Sequence, residues 1–142
     1  MNIYFAWSIR WAKKAQSSYE AIMKHTKNYG EILSEHAAYA YKNPKKYNIA
    51  PTEKDIYQAD LHHLKKAHVL VAEVSAPSHG VGREVAYAQC VKKIPVLCLY
   101  LEGINVSAMF QGNPDITLKS YKTLKEAKEI IDTWFKKIKG KK

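Results

Sequence analysis

The sequence predicts an α/β protein built on an open, mainly parallel five-stranded sheet with helices on both faces, doubly wound. Three observations carry this expectation. The run from His68 to Val74 is a nearly continuous apolar, β-branched stretch of the kind that lies in the middle of a parallel sheet. Ile94 to Leu101 is a second such run. Segments with helical periodicity alternate with the strand-like runs along the chain, which is the pattern of a parallel sheet with crossover helices.

Taken in order, Asn2 to Ala6 reads as a short apolar strand, and Ser17 to Tyr29 as a helix with Tyr19, Ile22, Met23 and Tyr29 near one face, closed by Gly30. Glu31 to Glu35 reads as a second short strand. The segment from His36 to Ala50, with Asn43 and Pro44 among many tyrosines and lysines, suggests a surface loop or irregular helix. Thr52 then caps a helix that carries Ile56, Leu61 and Leu64 and ends near Ala67, with Asp55 as the acidic partner of a capping box. Pro77 to Gly82 breaks the chain after the central strand, and a helix follows from about Arg83 to Lys92. The last helix, Leu124 to Ile138, buries Ala127, Ile130, Ile131, Trp134 and Phe135 and leaves its lysines outside. Residues 1–135 are expected to form one domain and residues 136–142 a basic tail.

A chain of 142 residues with 46% hydrophobic content is long enough to bury a core in one domain without disulfides. Twenty-three Lys and Arg against 13 Asp and Glu leave a net charge of +10, which favours anionic partners without choosing among nucleotide, nucleic acid and membrane surface. The longest charge-free apolar stretch, Ile94 to Leu101, is far short of the ~20 residues of a membrane helix, and Met1 to Ile9 lacks the basic start of a signal peptide. A cytoplasmic protein is therefore expected. Cys90 and Cys98 form no CxxC pair, and the six histidines include no HxxxH, so no metal site and no cofactor are expected from spacing.

In open parallel sheets ligands bind beyond the carboxyl ends of the strands. That places candidate loops after Ala6, Val74 and Leu101. The segment from Ser75 to Glu84 has the makings of an anion site: Gly80 and Gly82 let backbone N–H groups approach a ligand, a helix N-terminus follows, and Ser78 adds a hydroxyl. A tight strand-to-helix turn accounts for the same glycines equally well. Glu84 falls in the first helical turn, either compensating the dipole or facing the bound anion. Ser8, Ile9 and Arg10 follow the first strand, where a guanidinium can grip a phosphate. Asp60 borders an apolar helical stripe, as a surface acid or as a cleft acid with a raised pKa.

Together these pieces resemble the nucleoside 2-deoxyribosyltransferase superfamily, and within it the 2'-deoxynucleoside 5'-phosphate N-hydrolases. The resemblance rests on stretches in one order from Ile3 to about Tyr121: Tyr4-Phe5-Ala6 with Ser8-Ile9-Arg10; Ser34-Glu35-His36; Ile56 with Asp60-Leu61; Val71 to Val74; Pro77-Ser78 with Gly80, Val81, Gly82 and Glu84; Leu97-Cys98-Leu99; and Ser107-Ala108-Met109. It implies a Rossmann-like fold and hydrolysis of the N-glycosidic bond of a deoxynucleoside monophosphate, giving free base and 2-deoxyribose 5-phosphate. By the same resemblance Glu84 is the nucleophile, Asp60 the acid/base and Tyr4 the residue that positions them. Ser8, Ile9, Arg10, Ser78, Gly80 and Gly82 would hold the substrate and its 5'-phosphate. Ser107 would reach the phosphate of a neighbouring subunit across a homodimer interface, and His36 and Ile56 match positions near the base.

The chain departs from the family in the loop after the first strand, where the family's glycines are Trp7, Trp11 and Ala12. Indoles there would wall the pocket, fill it, or, for Trp11, pack into a subunit contact. Arg83 stands where the family more often has tyrosine, and there it would lower the pKa of Glu84, contact phosphate or face solvent. Transfer of the deoxyribosyl group to another base, or action on ribonucleotides, is an alternative within the superfamily. A non-catalytic nucleotide- or nucleic-acid-binding module is the alternative outside it, although RNA-binding fingerprints and DNA-reading helix motifs are absent.

Overall fold

The computed structural model describes residues 1–8, 16–35 and 52–141. Five strands, β1 (Asn2–Ala6), β2 (Glu31–Ile32), β3 (Val69–Glu73), β4 (Val96–Leu101) and β5 (Thr117–Tyr121), form one sheet in the order β2-β1-β3-β4-β5, and every pairing is parallel. The fold class expected from the sequence is therefore the one found. Successive connections wind outward in opposite directions from the β1/β3 junction, and that reversal opens a crevice between the carboxyl ends of the two strands. The junction is closely registered, with Ile3 opposite Val69 and Ala6 opposite Ala72.

The flanking helices are α1 (Gln16–Thr26), α2 (Glu53–Lys66), α3 (His79–Ala86), α4 (Ala108–Gln111) and α5 (Leu124–Lys139). Strand alternation sorts the core into two layers. Ile3, Phe5, Val69, Val71, Leu97 and Leu99 face α1 and α5, meeting Ile22, Ile131 and Phe135. Tyr4, Ala6, Leu70, Ala72 and Cys98 face the other way, toward Leu64 of α2 and Val81 and Val85 of α3. Helix α5 runs on to Lys139, so Lys136, Lys137 and Lys139 fall in its last turn, where cations complement the helix dipole.

Local chemistry explains most boundaries. Thr52 and Asp55 form a reciprocal capping box at the start of α2, as its sequence predicts. The first helix is shorter than its pattern suggests: it ends at Thr26 and continues as a 3₁₀ turn over Lys27–Tyr29. Gly30 follows in extended backbone, and it is a glycine because a Cβ there would lie 2.1 Å from the Met1 carbonyl oxygen. The helix expected from about Arg83 begins four residues earlier. Ser78 is its N-cap, with Oγ accepting from the Val81 N–H at 3.2 Å, so Gly80 and Gly82 lie inside the first turns and not in a preceding loop. Beyond Ala86 the helix widens into a π turn over Tyr87–Lys92, closed by Lys93 in the left-handed region at φ 53°.

Candidate active site

Tyr4 is the centre of β1 and is almost fully buried, its ring on the α2/α3 face of the sheet. From there its hydroxyl donates to Glu84 Oε1 at 2.9 Å, joining two residues that are 80 apart in the chain. Glu84 reaches this point because α3 crosses the face of β3 with Val81 and Val85 turned inward, which leaves position 84 on the flank beside them. Asp60 comes from α2, half-buried, one helical turn beyond the half-buried Ile56. The three residues expected to carry catalysis therefore converge from three elements at the β1/β3 junction.

The electrostatics of the acids follow from that placement. Burial pushes Glu84 up to about 8, the Tyr4 hydroxyl draws it down, the charge of Asp60 raises it and the guanidinium of Arg83 lowers it. Burial likewise raises Asp60 above the ordinary carboxylate range. Both acids are thus less ready to ionise than free carboxyls, and at Glu84 the charge of Asp60 adds to the effect of burial. Arg83 is exposed, and its guanidinium lies over the ring of the exposed Tyr57, 5.1 Å from the centroid. Tyr57 was not singled out from the sequence. Its place three residues before Asp60, on the same face of α2, is the signal that would have found it.

The other expected site residues divide into groups. Ser78, Gly82 and Ser107 line a groove of about 750 Å³ between α3 with its π turn and the segment 105–114. Tyr4, Asp60 and Glu84 are not among its lining residues. Ser107 caps α4 through Oγ to the Met109 N–H at 3.2 Å and is exposed. A Cβ on Gly82 would meet nothing within 4 Å, and one on Gly80 only Ser78 Oγ at 3.8 Å. Neither glycine is demanded by packing among the described residues. Ser8 is buried at the end of β1. Ile9, Arg10 and His36, with Trp11 and Ala12, lie outside the described residues.

Trp7 neither walls nor fills the site. It continues the alternation of Ile3 and Phe5, packs into the α1/α5 layer with its ring 5.5 Å from that of Phe5, and so turns to the face opposite Tyr4. Among the described residues no three His, Cys, Asp or Glu side chains gather into a metal-ligating group.

Comparison with known proteins bears on the family and the fold. Residues 3–123 match the family model described as nucleoside 2-deoxyribosyltransferase. A Syntrophotalea carbinolica protein provisionally named 2'-deoxynucleoside 5'-phosphate N-hydrolase 1 is 41% identical over 135 residues, covering 92% of each chain. The 5-hydroxymethyl-dUMP N-hydrolase of Danio rerio is 34% identical over 143 residues, covering 97% of this chain and 98% of its own. The solved structure of Clostridium botulinum CMP N-glycosidase, BcmB, superposes with a TM-score of 0.69 over 93% of this chain and 98% of that one, and at 14% identity it speaks to the fold alone. On the match of its sequence over most of its length, the chain belongs to the nucleoside 2-deoxyribosyltransferase family.

Proposed function

We propose that the protein is an N-glycosidase that hydrolyses 2'-deoxynucleoside 5'-monophosphates to free base and 2-deoxyribose 5-phosphate. The observation that carries this reading is the Tyr4 to Glu84 hydrogen bond, with Asp60 close enough for its charge to act on Glu84. In the proposed reaction the ionised Glu84 attacks the anomeric carbon, the bond to the base breaks, and Asp60 gives its proton to the departing base. Asp60 then takes a proton from water, the resulting hydroxide attacks the anomeric carbon, and the ester to Glu84 is released. Two carboxylates suit an oxocarbenium-like transition state, and retaining glycosidases hold such pairs about 5 to 5.5 Å apart. Tyr4 keeps the Glu84 oxygen aimed and supports its charged form.

The 5'-phosphate is assigned to the N-terminus of α3, where Ser78, Gly80 and Gly82 meet the helix dipole. Two glycines in one helix cost about 1 kcal/mol each against alanine. The space they leave open supports close approach of a ligand to the backbone. Ser8, Ile9 and Arg10 are assigned to the same phosphate, and His36 and Ile56 to the base. Ser107 is assigned to the phosphate of a second copy of the chain. The relatives' names speak for deoxynucleoside monophosphates.

Chromatography of free base after incubation with the four deoxynucleoside monophosphates, their ribo counterparts and the unphosphorylated nucleosides tests the proposal. Release confined to deoxy monophosphates and abolished by Glu84→Ala is the expected result, with a glycosyl adduct on Glu84 trapped by rapid acid quench and mass spectrometry. Absence of release from every substrate would overturn it. Because the family description names a transferase, the same assay includes a second free base: a new nucleotide product would assign transfer in place of hydrolysis.

A further inference from the structure

Glu73 is the last residue of β3, 1% exposed, and plays no part in the chemistry proposed above. Its parity with Val69 and Val71 directs its side chain to the α1/α5 layer, opposite Tyr4 and Glu84. Three donors converge on it there. The Ser75 N–H reaches Oε2 at 3.2 Å, and the Ser75 hydroxyl and the Tyr121 hydroxyl (3.1 Å) both reach Oε1. A carboxylate is a pure acceptor and satisfies all three; an amide or a protonated acid turns a donor toward one of them. Burial pushes Glu73 up, and the bonds from Ser75 and Tyr121, with the nearby Tyr19 hydroxyl, pull it back toward the charged form.

Ser75 is the point where this network meets the site. While its hydroxyl donates to Glu73, its Oγ accepts the N–H of Leu101, the last residue of β4, at 2.8 Å. Both polar groups with which Ser75 could move are thereby fixed to the sheet's carboxyl edge. Three residues later stands Ser78, the cap of α3, and the helix it starts carries Gly80, Gly82 and Glu84. We propose that Glu73 is a positioning residue: acting through Ser75, it fixes the loop that presents Ser78 and aims the N-terminus of α3 at the substrate phosphate. The proposal deepens the N-hydrolase reading and rests on it for the identity of the ligand.

The test compares Glu73→Gln, Ser75→Ala, their double variant and Tyr121→Phe, which removes one donor remote from the loop. With the preferred deoxynucleoside monophosphate, Glu73→Gln and Ser75→Ala should each raise KM about tenfold with kcat within about threefold, the signature of lost ground-state binding. The double variant should be no worse than the weaker single, since both cut one relay. Affinity for the unphosphorylated nucleoside, read by calorimetry, should not move, and Tyr121→Phe should lower the melting temperature without changing KM for the monophosphate. Lower melting temperatures with unchanged KM in Glu73→Gln and Ser75→Ala, or additive losses, would overturn the proposal. A second readout does not need turnover: titration with inorganic phosphate, followed at the Gly80 and Gly82 amides by NMR, should weaken in both variants. If the wild type releases no base, the N-hydrolase reading falls while this titration still decides the role of Glu73, with unweakened phosphate binding counting against it. Should Glu73→Gln fail to fold, Ser75→Ala carries the same comparison.

Discussion

Glu84 is under four influences, of which burial is the largest, and the outcome is a pKa of about 8. A nucleophilic carboxylate must be ionised, so kcat/KM should fall about tenfold for each pH unit below about 8, and it should fall again on the alkaline side where Asp60 loses the proton it must give to the departing base. Arg83→Gln removes a cation that lowers Glu84 and should move this acidic limb to higher pH; a limb that stays in place would dismiss that role for Arg83. Stability carries the same signature with its own sign. Because the folded value lies above the ordinary 4.5, the contribution of Glu84 is complete below that value and is lost as pH rises through about 8. Glu84→Gln, neutral throughout, should therefore melt roughly 3 to 6 °C above the wild type at pH 9 and close to it at pH 5. Part of this residue-scale geometry was legible: the family resemblance singled out Tyr4, Asp60 and Glu84, and Tyr4 is bonded to Glu84 while the charge of Asp60 acts on it. What the sequence withheld was direction. Whether Trp7 entered the site depended on which face of β1 its indole took, and whether Gly80 and Gly82 formed a turn depended on where Ser78 began the helix.

At the scale of elements, legibility tracked burial. The continuous β-branched run of β3, buried at every position, and the amphipathic stripe of α5 stood out because each has one environment repeated along it. β5 did not, since Thr117–Tyr121 is an edge strand with only Tyr121 buried, and its alternation of polar residues has no apolar face to declare itself. The π turn after α3 was equally silent, because no residue type announces an i→i+5 bond. Helices α1 and α5 pack on one layer of the sheet, and their seam supplies a further prediction. Asp132 of α5 accepts from the Tyr29 hydroxyl at 2.5 Å, and its Oδ1 lies 2.6 Å from His25 Nε2; the Tyr29 ring stacks on Phe135, with centroids 4.3 Å apart. The Tyr29 hydrogen bond, followed by His25, holds the Asp132 carboxyl below its usual range. A depressed acid stabilises the fold above its ordinary pKa and ceases to as pH falls through the depressed value. Asp132→Asn should cost about 1 kcal/mol at neutral pH, given that the site is partly exposed. Urea titrations across pH should show the gap to wild type closing as pH drops beneath the carboxylate range; a gap constant with pH would assign the loss to packing and not to charge.

The molecule as a whole presents, besides the cluster of Tyr4, Asp60 and Glu84, a groove lined by Ser78, Gly82 and Ser107, with Met109 81% exposed at its wall. The groove and the open Met109 side chain beside it are where a partner is proposed to sit. A second copy of the chain is the partner proposed for it, because a homodimer would bring Ser107 of one protomer to a phosphate bound at the N-terminus of the other's α3. Sedimentation equilibrium should then show a dimer that Met109→Glu shifts toward monomer. Complementation separates this from a merely associated pair. Ser107→Ala keeps its own Glu84 but lends its neighbour no hydroxyl, and Glu84→Ala is inert but keeps Ser107. Mixed and allowed to exchange, the two variants form a heterodimer in which one site has both Glu84 and a neighbour's Ser107. KM of the mixture should return toward the wild-type value, recovering the roughly tenfold or greater loss expected when one charge-assisted hydrogen bond of about 1.5 to 3 kcal/mol is removed. If Ser107 served its own chain's site, the heterodimer would hold no site better than that of Ser107→Ala, and mixing would leave KM where it was.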